Sequence, residues 1–419
     1  MRVLGIDPGY AIVGWGAVDY TGNRFTPVAF GAVTTEAGQP FDQAQRLWAD
    51  LFGFDCCQFL TGGSTMGIHT GLALCCKPGD KVLVDRSCHR AVFNALALLD
   101  LEPVYLERPW LRPENLTGPI SPEDVEKALK ECPNIKTVCI TSPTYAGMLS
   151  NIGAIARIVH AHGGKLFVDG AHGAHLPFLG YTGYQAADAV VMSAHKTLPA
   201  PGQTALLFAN GFGLSDLQRW GSVYGTSSPS YVLMSALDAV RGWMDGAGAA
   251  RYQEVVRLVD RLRRTWPALA EREDLPLDPA RLTLTSPDGF ALADALRERG
   301  VYPEMAGRGH VVCICTCADG GAEFFRLEEA LAHSGLTGPC APVPAPPEPP
   351  EMVLTPRQAL FAPRDRVPLA DSAGRVCAGQ IAPYPPGVPV IAPGERVEKK
   401  HLAYLKEIGY NIPTADIIL

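Results

Sequence analysis

The chain has 419 residues, 47% hydrophobic and 19% charged, with a formal net charge of −7. That length exceeds what one hydrophobic core usually serves, so two or three globular domains are expected. The acidic balance, without a lysine- or arginine-rich run, argues against a nucleic-acid partner. No stretch approaches the ~18 apolar residues of a membrane span, and the N-terminus lacks a signal-peptide core, so no membrane association and a cytoplasmic location are expected.

Residues 1–38 read as three short strands, Val3–Ile6, Val13–Asp19 and Phe30–Thr35, with turns at Gly9-Tyr10 and Thr21-Gly-Asn23. From about residue 42 helices and strands alternate. Helix Gln43–Phe54 precedes a strand end at Leu60 that turns through Thr61-Gly-Gly-Ser-Thr65 into helix Gly67–Cys76. Strand Lys81–Asp85, helix His89–Leu99, strand Pro103–Glu107 and helix Pro122–Glu131 follow, the last with Ser121 as N-cap. Strands Lys136–Thr141, Lys165–Asp169 and Ala189–Met192 come next, with Thr204–Ala209 able to run back against them. Short Val/Ile/Leu runs between helices predict an α/β fold with a mainly parallel sheet covered on both faces.

Beyond the helical region Val232–Trp266, residues 280–336 read as a smaller α/β unit with strands Arg281–Thr285 and His310–Thr316. Gly338–Glu351 is proline-dense and reads as a linker. The prolines of segment 352–419 predict an irregular, extended path. The expected division is therefore residues 1–38, a large domain over 39–245, a small domain over 246–338, a linker over 339–351 and a C-terminal domain over 352–419. The twelve cysteines include no pair of CxxC motifs and read as buried free thiols.

Four polar clusters fall at predicted carboxyl ends of strands, where parallel sheets bind ligands. Gly62-Gly-Ser-Thr65 opens a helix and offers free N–H groups and hydroxyls to a phosphate, or is simply a helix cap. His89 starts a helix beyond a strand, where an imidazole stacks on a flat ring or caps the helix. Asp169 ends an apolar strand and is followed by His172 and His175. A buried carboxylate needs a partner, which a pyridinium nitrogen supplies. The alternatives are an aspartate capping its turn, or metal ligation in Asp-x-x-His-x-x-His, for which no further acid converges. Lys196, flanked by Ser193 and His195, suits a lysine that forms a Schiff base with pyridoxal 5'-phosphate (PLP), with phosphate-binding neighbours.

The strings Thr61-Gly-Gly-Ser-Thr65, Asp85-Arg-Ser-Cys-His89, Thr141-Ser-Pro-Thr-Tyr145, Val168-Asp-Gly-Ala-His-Gly-Ala-His175 and Ser193-Ala-His-Lys-Thr-Leu198 together resemble the bacterial Orn/Lys/Arg decarboxylases. So do Thr226-Ser-Ser-Pro-Ser-Tyr231, Leu237-Asp-Ala-Val-Arg241, Tyr384-Pro-Pro-Gly387 and Pro393-Gly-Glu395. The resemblance runs from about residue 42 to the end and implies PLP fold type I, like aspartate aminotransferase. It implies Lys196 as the cofactor lysine, Asp169 at the pyridine nitrogen, and His89 stacked on the ring. Ser64, Thr65, Ser193 and His195 would hold the phosphate, with His172 against the cofactor near Asp169. No metal is implied. The activity implied is decarboxylation of lysine, arginine or ornithine by a homodimer or larger homo-oligomer, with Ser228–Tyr231 approaching a neighbouring site. Glu304, in Val301-Tyr-Pro-Glu-Met305, is either a carboxylate for the substrate's distal cation or an exposed loop glutamate.

Val3-Leu-Gly-Ile-Asp-Pro-Gly-Tyr-Ala-Ile-Val-Gly-Trp-Gly16 and Phe30-Gly-Ala-Val-Thr-Thr-Glu36 are instead similar to the start of RuvC-type Holliday-junction resolvases, with Asp7 matching a metal-binding acid. One carboxylate does not assemble a two-metal site, so no nuclease activity is expected. The decarboxylases' own N-terminal segment, with a Pro-Gly-His-Lys-like string, is not found before Phe41, and impaired turnover is one expectation from that replacement. An aminotransferase or an inactive fusion are the competing readings, because Lys196 and Asp169 serve any enzyme of this fold type.

Overall fold

The computed structural model describes residues 2–8, 12–21, 24–34, 40–383, 387–410 and 412–419. The expected turns at Gly9-Tyr10 and Gly22-Asn23, and Tyr384-Pro385-Pro386 of the C-terminal motif, lie outside the described residues.

Three antiparallel strands, β1 (Arg2–Pro8), β2 (Ile12–Thr21) and β3 (Arg24–Thr34), form a separate sheet. The third strand starts six residues earlier than expected from Phe30, because Phe25 and Thr26 continue the pairing and a register shift at Ala17/Val18 accommodates Pro27. Leu4, Phe25 and Phe30 of this sheet are exposed.

Helix α1 (Pro40–Phe52) then leads into the large sheet. Its strands in chain order are β4 (Cys56–Leu60), β5 (Lys81–Asp85), β6 (Glu102–Leu106), β9 (Ile135–Thr141), β10 (Lys165–Asp169), β11 (Ala189–Met192) and β12 (Ala205–Ala209). The two-residue strands β7 (Trp110–Leu111) and β8 (Leu116–Thr117) pair separately. The spatial order is β4-β12-β11-β10-β9-β5-β6, and only β12 runs antiparallel to its neighbours. Successive residues of these strands enter two different apolar cores. Leu83, Val138, Leu166, Val168 and Val190 face one side; Val82, Val84, Cys139, Phe167 and Val191 face the other. Burial on both faces explains the nearly unbroken apolar runs.

The covering helices include α2 (Gly63–Cys75), α3 (Arg90–Leu98), α4 (Pro122–Glu131) and α5 (Ile152–Ala161). Helix α2 lies close on the sheet: a Cβ at Gly71 would come within 2.2 Å of the Phe167 ring, so a glycine is needed there. Ser121 caps α4 by accepting from the Asp124 N–H, as the sequence pattern predicts. A four-residue helix, α6 (Ala194–Thr197), follows β11 directly. Helices α7 (Leu214–Tyr224), α8 (Tyr231–Trp243) and α9 (Ala249–Thr265) lead to a second, three-stranded antiparallel sheet. Its strands β13 (Arg281–Thr285), β14 (Met305–Ala306) and β15 (His310–Ile314) are covered by α10 (Gly289–Glu298) and α11 (Gly321–Ser334).

Residues 352–419 depart from the irregular path expected of them. They contain α12 (Pro356–Phe361), α13 (Lys399–Glu407) and an antiparallel pair, β16 (Arg364–Pro368) with β17 (Thr414–Ile418). Cys377, Ile381, Ile391, Val397, Leu405 and Ile417 form their core. The prolines lie mostly in the connections and at element ends, where a missing N–H is tolerated.

This segment is joined to the large sheet by a buried ion pair. Arg86 Nη1 and Nη2 each donate to a Glu395 carboxylate oxygen at 2.7 Å. Glu395 also accepts from the Ala392 N–H at 2.7 Å, and the Arg86 guanidinium lies 4.7 Å over the Tyr105 ring. Removing one partner of such a pair leaves a charge without compensation in the interior, at about 3–5 kcal/mol. Glu395→Gln should therefore destabilise the protein by about 3 kcal/mol in denaturant unfolding and speed proteolysis within residues 339–351. An unchanged midpoint and cleavage rate would refute that coupling.

Candidate active site

The site is assembled at the carboxyl ends of parallel strands, from loops that enter helices. Asp169 ends β10, Ser193 and Lys196 follow β11, His89 precedes α3 and Ser64 lies in the first turn of α2. Ser64, Thr65, His89, Asp169, Ser193 and Lys196 line one cavity of about 1870 Å3, which His172 and His195 also line. All eight expected site residues thus reach the same space.

Lys196 Nζ lies 3.2 Å from His172 Nε2. The His172 ring packs against Tyr145, with centroids 4.7 Å apart. Burial lowers the Lys196 pKa from the usual 10.5; Asp169 and Glu304 oppose the shift and Arg281 adds to it. Burial, followed by the charges of Lys196 and Arg281, drives His172 well below the ordinary histidine range, so its ring is neutral near pH 7. His89 caps α3, its Nδ1 accepting from the Ala91 N–H at 3.2 Å, while its ring remains part of the cavity wall. Capping and pocket lining are therefore compatible. Burial lowers its pKa, against the pull of Asp169.

Ser64 and Ser193 are hydrogen-bonded to each other through their hydroxyls. Beside them, His195 Nδ1 donates to the Thr204 carbonyl at 2.8 Å, which leaves Nε2 for a ligand. No side chain caps the start of α2; the Gly63 N–H is taken by the Gln203 carbonyl at 2.8 Å, while Ser64 and Thr65 in the first turn line the cavity with their hydroxyls and form a seat for an anion. Opposite, Asp169 is 2% exposed and accepts from the Ala171 N–H at 3.1 Å. Burial raises its pKa, although His89 and Lys196 pull it down. His172 Nδ1 and Thr141 Oγ1 are also buried without a partner among the described residues. An anion seat, a buried carboxylate with a single backbone donor and a lysine with a depressed pKa fit the phosphate, ring nitrogen and aldehyde of PLP. Among the described residues, no group of three or more His, Cys, Asp or Glu side chains is arranged for a metal ion. His175 instead donates from Nε2 to Asp278 at 2.9 Å.

Several pairings in and around the site carry no sequence signal, although some of the residues do. Asp85 forms a buried two-point ion pair with Arg108 (2.9 and 2.5 Å) and also accepts from the Thr141 N–H, tying together the ends of β5 and β9. Tyr145 OH donates to Glu304 at 2.7 Å, which brings that loop residue to the rim of the site. The Asp85-Arg-Ser-Cys-His89 string was legible as a motif, but the pairing of Asp85 with Arg108 depends on how two strands lie side by side.

The profile of the family described as "Orn/Lys/Arg decarboxylase, major domain" matches residues 27–283, and that of its C-terminal domain matches 345–411. The chain belongs to the Orn/Lys/Arg decarboxylase family. Its major-domain match begins inside the first 38 residues. The uncharacterised protein YaaO of Bacillus subtilis is 30% identical over 87% of this chain and 81% of its own length. An arginine decarboxylase of the same organism is 28% identical over 88% of this chain and 82% of its own. The constitutive lysine decarboxylase of E. coli superimposes with a TM-score of 0.77 at 20% identity, covering 92% of this chain and 74% of that one. A serine palmitoyltransferase solved with PLP gives a TM-score of 0.57 at 16% identity over 70% of this chain and 76% of that one. The fold of this decarboxylase-family chain is accordingly PLP fold type I, with a smaller α/β unit and a C-terminal segment.

Because burial raises the Asp169 pKa in the folded chain, stability falls as pH rises through the interval between its unfolded and folded values. Asp169→Asn removes that penalty. In cofactor-free protein at pH 7 the variant should melt higher, by roughly 2 °C, with the gain absent at acid pH. A lower midpoint at pH 7 would contradict this account of the carboxylate.

Proposed function

We propose that this chain is a PLP-dependent decarboxylase of a basic amino acid (lysine, arginine or ornithine), releasing the amine and CO2. The observation that carries the reading is Lys196 Nζ beside His172 Nε2 at 3.2 Å, in a cavity that also holds the buried Asp169 carboxylate and the Ser64–Ser193 pair. Lys196 would take the cofactor aldehyde and Asp169 its ring nitrogen. His89 would cover the ring face, and Ser64, Thr65, Ser193 and His195 the phosphate. Bound there, PLP supplies an electron-accepting ring for the pair released when the carboxylate leaves.

The protein's own groups manage protons and position. A depressed pKa gives Lys196 more neutral amine near pH 7 than an exposed lysine has, as nucleophilic attack requires. Neutral His172 accepts or returns a proton at Nε2, within hydrogen-bond reach of Nζ. Asp169, once paired, remains charged in a site otherwise costly for it. Glu304, oriented by Tyr145, is the carboxylate assigned to the substrate's distal ammonium or guanidinium.

The same reading makes residues 39–245 the cofactor domain, 246–338 the small domain and 352–419 the C-terminal domain. It places the protein in the cytoplasm as a homo-oligomer with no nucleic-acid partner. Residues 1–38 are read as a resolvase-like fragment without nuclease chemistry, since Asp7 alone does not bind two metal ions.

Purified protein with added PLP should develop a visible absorbance band that Lys196→Ala lacks, and should release CO2 from at least one of lysine, arginine and ornithine. No band would refute the cofactor assignment. A band without release from any of the three would favour an inactive fusion. With the preferred substrate, Glu304→Gln should raise KM about tenfold, the loss of one charge-assisted contact, with a smaller change in kcat. An unchanged KM would leave Glu304 outside the substrate site.

A further inference from the structure

Asp278 lies in Leu275-Pro-Leu-Asp-Pro279, immediately before β13, and is fully buried. Its carboxylate is a junction between the small domain and both sides of Lys196. On one side Oδ1 accepts from His175 Nε2 at 2.9 Å. The His175 ring stacks on Tyr252, with centroids 5.1 Å apart and planes at 22°, and the Tyr252 hydroxyl donates to the carbonyl of Thr197, next to Lys196. On the other side Oδ2 lies 3.6 Å from Arg281 Nη2.

Arg281 is 1% exposed, and its two terminal nitrogens donate to two backbone carbonyls at 3.4 Å, those of Tyr145 and His172. These are the residues whose rings pack together beside Lys196 Nζ. The fork of one guanidinium thus sets the spacing of the two loops. Its stem passes Gly147, at φ +89°, where a Cβ would come within 2.6 Å of Arg281 Cγ. Arg263 adds donors to the carbonyls of Asp278 (2.6 Å) and Arg281 (2.5 Å). Although burial alone would push Asp278 up, His175, Arg281 and the Ala280 N–H hold its pKa below the usual carboxylate range. A buried arginine and a buried carboxylate are costly unless paired, and here each is also hydrogen-bonded to a loop that surrounds the reactive lysine, Asp278 to His175 and Arg281 to the carbonyls of Tyr145 and His172.

We infer that Asp278 and Arg281 are positioning residues, through which the small domain fixes His172, Tyr145 and the Lys196 turn for cofactor capture. The inference rests on the reading of Lys196 as the cofactor lysine. The charged and titratable groups facing Nζ are Asp169, His172, Glu304 and Arg281, with His89, which feels the charges of both Asp169 and Lys196. Loss of the Arg281 charge should raise the Lys196 pKa, and loss of the Asp278 charge, which leaves the Arg281 guanidinium uncompensated, should lower it.

The test titrates cofactor-free wild-type, Asp278→Asn, Arg281→Met and Leu292→Ala proteins with PLP, following the visible band across pH. Leu292 is fully buried in α10 of the same small domain, so its truncation loosens that core outside the network. Both network variants should bind PLP about tenfold more weakly, with pH midpoints of capture displaced in opposite directions, downward for Asp278→Asn and upward for Arg281→Met. Leu292→Ala should keep the wild-type midpoint and lose less affinity. Equal weakening in Leu292→Ala, or network midpoints that do not separate, overturns the inference. If Asp278→Asn does not fold, Arg281→Met decides: weaker binding with a raised midpoint supports the assignment, and wild-type behaviour overturns it. Wild-type protein that captures no PLP overturns the functional reading and this inference with it. Capture by wild type matched by both variants overturns the inference alone.

Discussion

Desolvation at the carboxyl ends of β10 and β11 is the constraint on which the site depends, because it acts in opposite directions on two groups that share one cavity. It raises the pKa of Asp169, favouring the neutral acid, and lowers that of Lys196, favouring the neutral amine. A carboxylate and a lysine in direct contact would satisfy each other and leave no chemistry. The protein holds the lysine against neutral His172 instead, and leaves Asp169 with a single backbone N–H donor among the described residues. Both groups retain capacity for a ligand that brings a cationic ring nitrogen at one point and an electrophilic carbon at another. The cost in stability is the usual one for a preorganised site.

The rest of the architecture holds that tension in place. Parallel strands buried on both faces cannot shift register without exposing apolar side chains, so the loops at their ends have fixed origins. The Asp85–Arg108 pair then links the ends of β5 and β9. Arg86–Glu395 brings the C-terminal segment onto the same edge, three residues from His89. Asp278 and Arg281 bring the small domain onto the opposite loops. Each of the three regions contributes a buried charge to a contact with a neighbour, and residues of all three line the cavity.

Much of the large domain was legible in the sequence because its signals are local. Lys81–Asp85, Lys165–Asp169 and Ala189–Met192 are apolar runs ended by polar or turn residues, and each coincides with a strand. The residues that end or follow them are also the site residues, so recognising the strands located the chemistry. What stayed hidden depends on distance along the chain. Glu395 pairs with Arg86 across 309 positions, and Asp278 with His175 across 103. Asp278-Pro279 reads locally as a turn, and nothing in it reveals the histidine it meets. The elements of 352–419 were hidden for another reason: proline density masked helices α12 and α13 and a β pair whose apolar residues meet only after folding. Glu304 read more readily as an exposed loop residue, and exposed it is; what the sequence did not show is the Tyr145 hydroxyl that holds it.

The central claim is that Lys196, among all the lysines of this chain, is the one that bonds to PLP. Reduction of the PLP-loaded protein with borohydride, followed by digestion and mass spectrometry, tests it most directly. A pyridoxyl mass addition on the peptide containing Ser193–Leu198, localised to Lys196, is the predicted result. A modification confined to other lysines, or spread evenly over exposed ones with Lys196 unlabelled, would contradict the account.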